Sequence, residues 1–203
     1  MTIKDFKACN WDILGKVLRF SEIDDETGIK LPEEKIMSKI ETGCYKVRVM
    51  SAGSKVSGVN AAPGLKVGDI TMVSQITGSE VNVEGEDDYR SFHSAYCVAI
   101  LKKRYPNTAD ITPLRDRVLL EPILKEAITE DGIKLPEDMY FGDSRLMEVG
   151  YGRILALGSE VDKEEFKLGD IVYYERDAFC EIETLDKGTL KLVFNDRIHY
   201  KRV

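Results

Sequence analysis

"TGIKLPE" at Thr27–Glu33 and "DGIKLPE" at Asp131–Glu137 are one phrase written twice in a chain of 203 residues. A repeat spaced at about half the chain marks a unit used more than once, so its extent has to be traced before any motif is read alone. Laid without gaps, "WDILGKVLRFSEIDDETGIKLP" from Trp11 lies over "RDRVLLEPILKEAITEDGIKLP" from Arg115. This sets Asp12 on Asp116, Glu22 on Glu126 and Gly28 on Gly132. Further on, "LKVGDI" (Leu65–Ile70) lies over "FKLGDI" (Phe166–Ile171), and "SFHSAYCVAILKK" and "LVFNDRIHYKRV" share an apolar run that ends in basic residues. The offset falls from 104 to 101 between the first two anchors, so the first copy carries a few extra loop residues.

Each copy reads as β. "RVLLEPI", "YGRILALG", "DIVYYE" and "TLKLVF" are short branched or aromatic runs punctuated by Gly, Asp and Asn, and helical periodicity is hard to find. The x-Lys-x-Gly-Asp-Ile phrase predicts a turn followed at once by a strand, because Gly takes positive φ and Asp bonds its own nearby backbone. Many short strands at this spacing predict a small barrel or sandwich. "KKRYPNTADITPL", stiffened by Pro106 and Pro113, joins the copies. The expected organisation is a first unit over residues 1–106, a linker at 107–110 and a second unit over 111–203.

In an extended segment neighbouring side chains alternate, so Ile29 and Leu31 share one face while Lys30 points away, and the same holds for Ile133, Leu135 and Lys134. Gly28 and Gly132 loosen the chain before these pegs, and Pro32 and Pro136 block continuation as a paired strand. Two readings follow. One is an edge strand tucked under a barrel. The other is a mobile loop that orders on a partner, with two apolar side chains in a groove and the charged neighbours in water. Recurrence in register between Gly and Pro favours the second, and several weak contacts on one assembly give avidity while staying reversible.

Composition narrows the partners. Through Asp110 there are 15 basic and 16 acidic residues, and after it 14 and 20, so the net charge of −7 sits mostly in the second half. No basic run exceeds Lys102, Lys103 and Arg104, which argues against nucleic acid as a partner. No apolar run reaches membrane-spanning length, and the N-terminal residues have neither signal-peptide nor transit-peptide character. Cys9, Cys44, Cys97 and Cys180 stand far apart without C-x-x-C, which fits a reducing compartment better than a secreted disulfide framework. The two histidines, His93 and His199, fall in or beside the closing strands and are expected to be packed or solvent-facing there. Neither the acidic stretches "EGEDDYR" and "DKEEF" nor the cysteines form a recognisable metal motif, and G-x-G-x-x-G is absent, so no metal, no cofactor and no catalytic residue is expected.

The second copy resembles the GroES-type co-chaperonins over nearly all of Ile111–Val203. The resemblance rests on Pro113-Leu114-x-Asp116-Arg117-Val118, Gly132-Ile133-x-Leu135-Pro136, Gly152-x-Ile154-x-Ala156-x-Gly158 and Lys167-x-Gly169-Asp170-Ile171-Val172, in that order. The first copy resembles the family more faintly, through Asp12, Gly28-Ile29-x-Leu31-Pro32, "SAGS" at Ser51–Ser54 and Lys66-x-Gly68-Asp69-Ile70. The resemblance implies an all-β protein of two tandem GroES-like small β-barrels joined by a short linker. It also implies assembly of the chain into a homo-oligomeric ring, and mobile loops that dock on a GroEL-type chaperonin. On that reading Gly28, Ile29, Lys30, Leu31, Pro32, Gly132, Ile133, Lys134, Leu135 and Pro136 form the contact segments of a non-enzymatic folding assistant.

The tandem resembles the double co-chaperonins of plastids, and a phage-encoded form fits as well. The expected location is the cytoplasm of a bacterium or of a phage-infected host, with plastid stroma or virion as alternatives. Two features depart from the family pattern. Lys replaces an apolar residue at the middle of each tripeptide, and "SEVDKEEFKLGD" after Gly158 is shorter than the family's roof hairpin, so the roof of a dome is reduced or open. These departures keep a second function in view, a non-enzymatic structural or assembly protein, for example a virion component, that reuses the fold.

Overall fold

The computed structural model describes residues 6–18, 44–58, 62–73, 78–82, 88–123, 149–175 and 179–201. Among them the regular structure is all strand, with three short 3-10 turns and no α-helix. The first sheet contains β1 (Asp12–Val17), β2 (Tyr45–Ala52), β3 (Ile70–Val73), β4 (Ser79–Glu80), β5 (Tyr89–His93), β6 (Cys97–Leu101) and β7 (Ile111–Pro113). The second contains β8 (Arg117–Pro122), β9 (Val149–Leu157), β10 (Ile171–Glu175), β11 (Phe179–Thr184), β12 (Gly188–Phe194) and β13 (Ile198–Lys201). Their strand orders are β4-β5-β1-β2-β3-β6-β7 and β11-β12-β8-β9-β10-β13, and every pairing is antiparallel.

The two sheets share equivalent backbone bonds at the start of each unit. Gly53 N–H donates to Asp12 O and Gly158 N–H to Arg117 O; Lys55 N–H donates to Asn10 O and Glu160 N–H to Arg115 O; Ser94 N–H donates to Trp11 O and Asn195 N–H to Asp116 O. Asn10 and Arg115 both take the left-handed conformation, at φ 50° and 52°. These pairs lie 105 residues apart at the start of each unit, which corrects the ungapped reading by one residue: Asp12 stands on Arg117, and Ile13 on Val118. The correction decides which side chains face inward, because a slip of one residue in a strand exchanges its two faces. Ile13 and Val118 are both completely buried in the cores of their own units.

The Lys-x-Gly-Asp turn folds as its sequence predicts. Gly68 and Gly169 sit at φ 96° and 89°, and the Asp69 and Asp170 carboxylates accept the Lys66 and Lys167 N–H at 2.8 and 3.0 Å. Strands β3 and β10 start at the next residue. Between Gly158 and Ile171 there are turns and no strand.

Among the described residues three large apolar clusters, with a smaller fourth around Leu14 and Tyr89, hold the molecule together. Ile13, Val47, Val49, Leu65, Val73 and Phe92 belong to a cluster inside the first sheet, and Val118, Leu120, Ile154, Val172, Tyr174 and Val193 to one inside the second. The inner residues differ between the units. Tyr174 fills the space over Gly150 and Gly152, where an added Cβ at Gly150 would lie 2.5 Å from the Tyr174 ring, whereas Val73 faces Tyr45 and Val47 at the equivalent places. The third cluster joins the units: Ile70, Met72, Ala99, Leu101 and Ile111 from the first sheet pack with Leu119, Cys180, Ile182, Leu190 and Leu192 from the second.

Polar contacts reinforce this junction. Strand β7, which follows the Thr108–Asp110 turn, pairs with β6 and so ends the first sheet. Arg115 donates to the carbonyls of Ala95 and Cys97. Thr108 donates from its N–H and its hydroxyl to the Asp186 carboxylate, and Leu185 N–H donates to Pro106 O. A disulfide bond ties Cys44 to Cys180 across the junction, with Cα atoms 6.0 Å apart. The wide spacing of the cysteines gave no sign of this pair, since 136 residues separate them.

Candidate functional site

Gly28 to Pro32 and Gly132 to Pro136 lie outside the described residues; what the structure defines is the platform that carries each of them. The first phrase sits in the β1–β2 connection, between Leu18 and Cys44, and the second in the β8–β9 connection, between Ile123 and Val149. Both connections leave a strand at the same point of the repeat. Leu18 N–H donates to Lys46 O at 2.8 Å, and Ile123 N–H donates to Tyr151 O at 2.9 Å. These bonds extend the ladders β1·β2 and β8·β9 by one step, so two antiparallel strand ends hold the foot of each connection at fixed separation. Thr27 follows Leu18 by nine residues and Asp131 follows Ile123 by eight, which accounts for the one-residue slip in the ungapped reading.

The surroundings of the two feet differ. At the first, Leu18 and Cys44 pack against the cluster that joins the units. Lys46 Nζ donates to Arg104 O at 2.6 Å and lies 5.4 Å from the Tyr105 ring centre. At the second, Lys187 pairs with Glu121 at 2.8 Å, and the outer face of the sheet carries Tyr151, Tyr173 and Tyr200. Ring centres there lie 4.3 Å apart for Tyr151 and Tyr173 and 6.2 Å for Tyr173 and Tyr200, and Tyr200 is 70% exposed.

Groups with chemical potential elsewhere have structural partners. His93 Nδ1 accepts the Ala95 N–H at 3.1 Å and caps the Ser94–Tyr96 turn, and His199 Nε2 lies 3.2 Å from Glu175. The Arg117 guanidinium lies 3.2 Å from the Phe194 ring centre and bonds Asp116 at 2.6 Å; burial pulls its pKa down to about 10, against the pull of Asp116. Burial pushes the Cys97 thiol up to about 11. Among the described residues no cluster of three or more His, Cys, Asp or Glu is placed to hold a metal ion, and no helix is long and apolar enough to cross a membrane. The signal that sequence reasoning missed is Arg115, whose left-handed backbone and link between units have no counterpart in a motif.

No protein-family model matches the chain. It is similar to the co-chaperonin GroES of Pseudothermotoga lettingae, 33% identical over 86 residues that make up 42% of this chain and 90% of that protein. The co-chaperonin GroES of Thermotoga petrophila is 35% identical over 88 residues, 42% of this chain and 89% of its own length. That of Coprothermobacter proteolyticus is 37% identical over 90 residues, 43% and 89% respectively. A nearly full-length relative thus spans the length of one unit of the repeat, and the chain belongs to the GroES co-chaperonin family.

Proposed function

We propose that the chain is a co-chaperonin that assembles into a ring and caps a GroEL-type chaperonin, assisting ATP-dependent folding without catalysis of its own. The contact segments are Gly28-Ile29-Lys30-Leu31-Pro32 and Gly132-Ile133-Lys134-Leu135-Pro136. The observation that carries this reading is the pair of equivalent feet closed by Leu18–Lys46 and Ile123–Tyr151. One chain offers the same apolar phrase twice from one joined body, and later contacts of such a body are effectively intramolecular. Two domains, residues 1–106 and 111–203 with 107–110 between them, belong to the same proposal.

The junction inside the chain supports side-by-side assembly. Strand β6 has β7 on its outer side, whereas β13, its equivalent, has among the described residues a neighbour on one side only. Phe6 and Ala8 pack on the first unit beside Leu14 and Tyr89, the place that β7 takes beside Leu119 and Leu190. These ends are complementary, and a head-to-tail contact that repeats them closes into a ring when its rotation allows.

The test is size exclusion with light scattering of the purified chain, alone and with a GroEL-type chaperonin, with and without ATP. An ATP-dependent complex is expected, and Leu31→Asp with Leu135→Asp is expected to abolish it while the self-assembled mass stays unchanged, because an unpaired charge does not enter an apolar groove. Binding of the double variant at wild-type strength overturns the assignment of the segments. A second reading, a structural protein that tiles through its units, is favoured by the strand-free run from Gly158 to Asp170 and predicts large self-assembly without a complex.

A further inference from the structure

The Cys44–Cys180 bond has no counterpart elsewhere in the repeat. Cys44 stands at the position of Val149, and Cys180, which pairs with Leu192, stands where Ser79 pairs with Ser91. The bond is therefore not part of what folds a unit; it belongs to the junction. It runs from the foot of the first connection to β11, across the cluster that joins the units. The same junction is already held without it, by β6–β7 pairing, Arg115 and the Thr108–Asp186 bonds.

We propose that Cys44 and Cys180 form a thiol–disulfide switch that locks the two units together when oxidised and leaves the junction to its non-covalent contacts when reduced. The co-reactant class is a low-molecular-weight disulfide in one direction and a dithiol in the other. Cys44 is partly buried and Cys180 is 7% exposed, so exchange begins at Cys44. Its thiolate attacks the small disulfide, forming a mixed disulfide and releasing one thiolate. The Cys180 thiolate then attacks the Cys44 sulfur, closes the bond and releases the second. Two electrons pass from the protein to the small disulfide, and the two protons end on its two thiols. Cys97 stays out of the exchange, buried with a thiol pushed up to about 11; Cys9 stands exposed before β1, and its reaction with a small disulfide ends as a mixed disulfide outside the Cys44–Cys180 bond. The consequence for docking rests on the proposed function, since a locked junction fixes the spacing of the two feet; the switch itself does not.

The test equilibrates the folded chain in glutathione buffers of graded redox poise, quenches with acid, and counts alkylated thiols by mass after unfolding. At the oxidising end the expected species has the Cys44–Cys180 bond closed, Cys97 alkylated and Cys9 either alkylated or carrying one glutathione, told apart by mass; at the reducing end four alkylated thiols are expected. Four at every poise, or two even in excess dithiol without denaturant, overturns the switch. In parallel, Tm is expected to fall by roughly 5–15 °C on reduction, because a long closed loop constrains the unfolded chain, while Cys44→Ser shows no redox response. An equal fall in Cys44→Ser, or none in the wild type, overturns it as well. Neither measurement involves a chaperonin, so a failure here is distinct from a failure of docking.

Discussion

The face built from β3 and β6 in the first unit and the face built from β10 and β13 in the second occupy the same place in the repeat and look outward in different ways. On the first, Ile70, Met72, Ala99 and Leu101 are buried under the neighbouring unit. On the second, the ladder positions of Ile70, Met72 and Ala99 carry Ile171, Tyr173 and Tyr200, partly or largely exposed. The inward residues stay apolar, as Val73 against Tyr174 on these strands and Val49 against Ile154 on the neighbouring β2 and β9 show. One side of a strand answers to the unit's own core and the other to whatever lies next door, so a duplicated sheet diverges on the side where its neighbours differ.

The strongest way to break the comparison is in the cluster that joins the units. Ile182 is fully buried there, while Val81, its equivalent beside Tyr89, is half-buried. Ile182→Ala is expected to cost about 2–5 kcal/mol in urea unfolding, as a large-to-small change at a site with little room to collapse. Val81→Ala is expected to cost about 1 kcal/mol, since less apolar surface is withdrawn from water there. Equal losses would mean that the junction adds nothing to the stability of the second unit.

A smaller effect is expected at the opening turn. Arg115→Asn gives the second unit the residue that the first has at Asn10, and Asn tolerates the left-handed backbone that both positions require. The substitution therefore keeps the turn while deleting the charge-assisted bonds to Ala95 and Cys97, and a loss of about 1–3 kcal/mol is expected in the same unfolding measurement. No change would show that these bonds merely replace bonds to water.

What the sequence made legible follows from the range of each interaction. The Lys-x-Gly-Asp turn is specified within four residues, by Gly at positive φ and an Asp that bonds back to Lys66 or Lys167. It was readable for that reason. The repeat was readable too, but the shared Gly-Ile-Lys-Leu-Pro phrase pulled the ungapped alignment one residue out of register upstream. Ile13 opposite Arg117 was the available clue, an apolar residue set on a charged one. The Cys44–Cys180 pair and the Arg115 bonds join segments 136 and up to 20 residues apart, and no local pattern announces them. Of the candidate site, the sequence exposed the phrases themselves; the equivalent feet that carry them appear only in the backbone bonds of Leu18 and Ile123.

The smallest effect separates the two Gly-Asp turns by pH. Asp69 and Asp170 accept the same backbone bond, but Lys201 lies 3.3 Å from Asp170, and Ile100 stands at that place in the first unit. The Lys167 N–H and then Lys201 hold the Asp170 carboxyl below its ordinary value of 3.8. A carboxyl depressed in the folded state stabilises the fold at pH values above its unfolded pKa, and this is lost as the pH falls through the folded one. Asp170→Asn is therefore expected to lower Tm by a degree or two at neutral pH, a small effect because the pair is partly exposed and screened. The gap between variant and wild type should close toward pH 3. Lys201→Met removes the cation and leaves the turn, so it should reproduce only part of that gap. A gap of the same size at pH 3 and pH 7 would assign the effect to the neutral geometry of the turn, and the two units would then be alike here too.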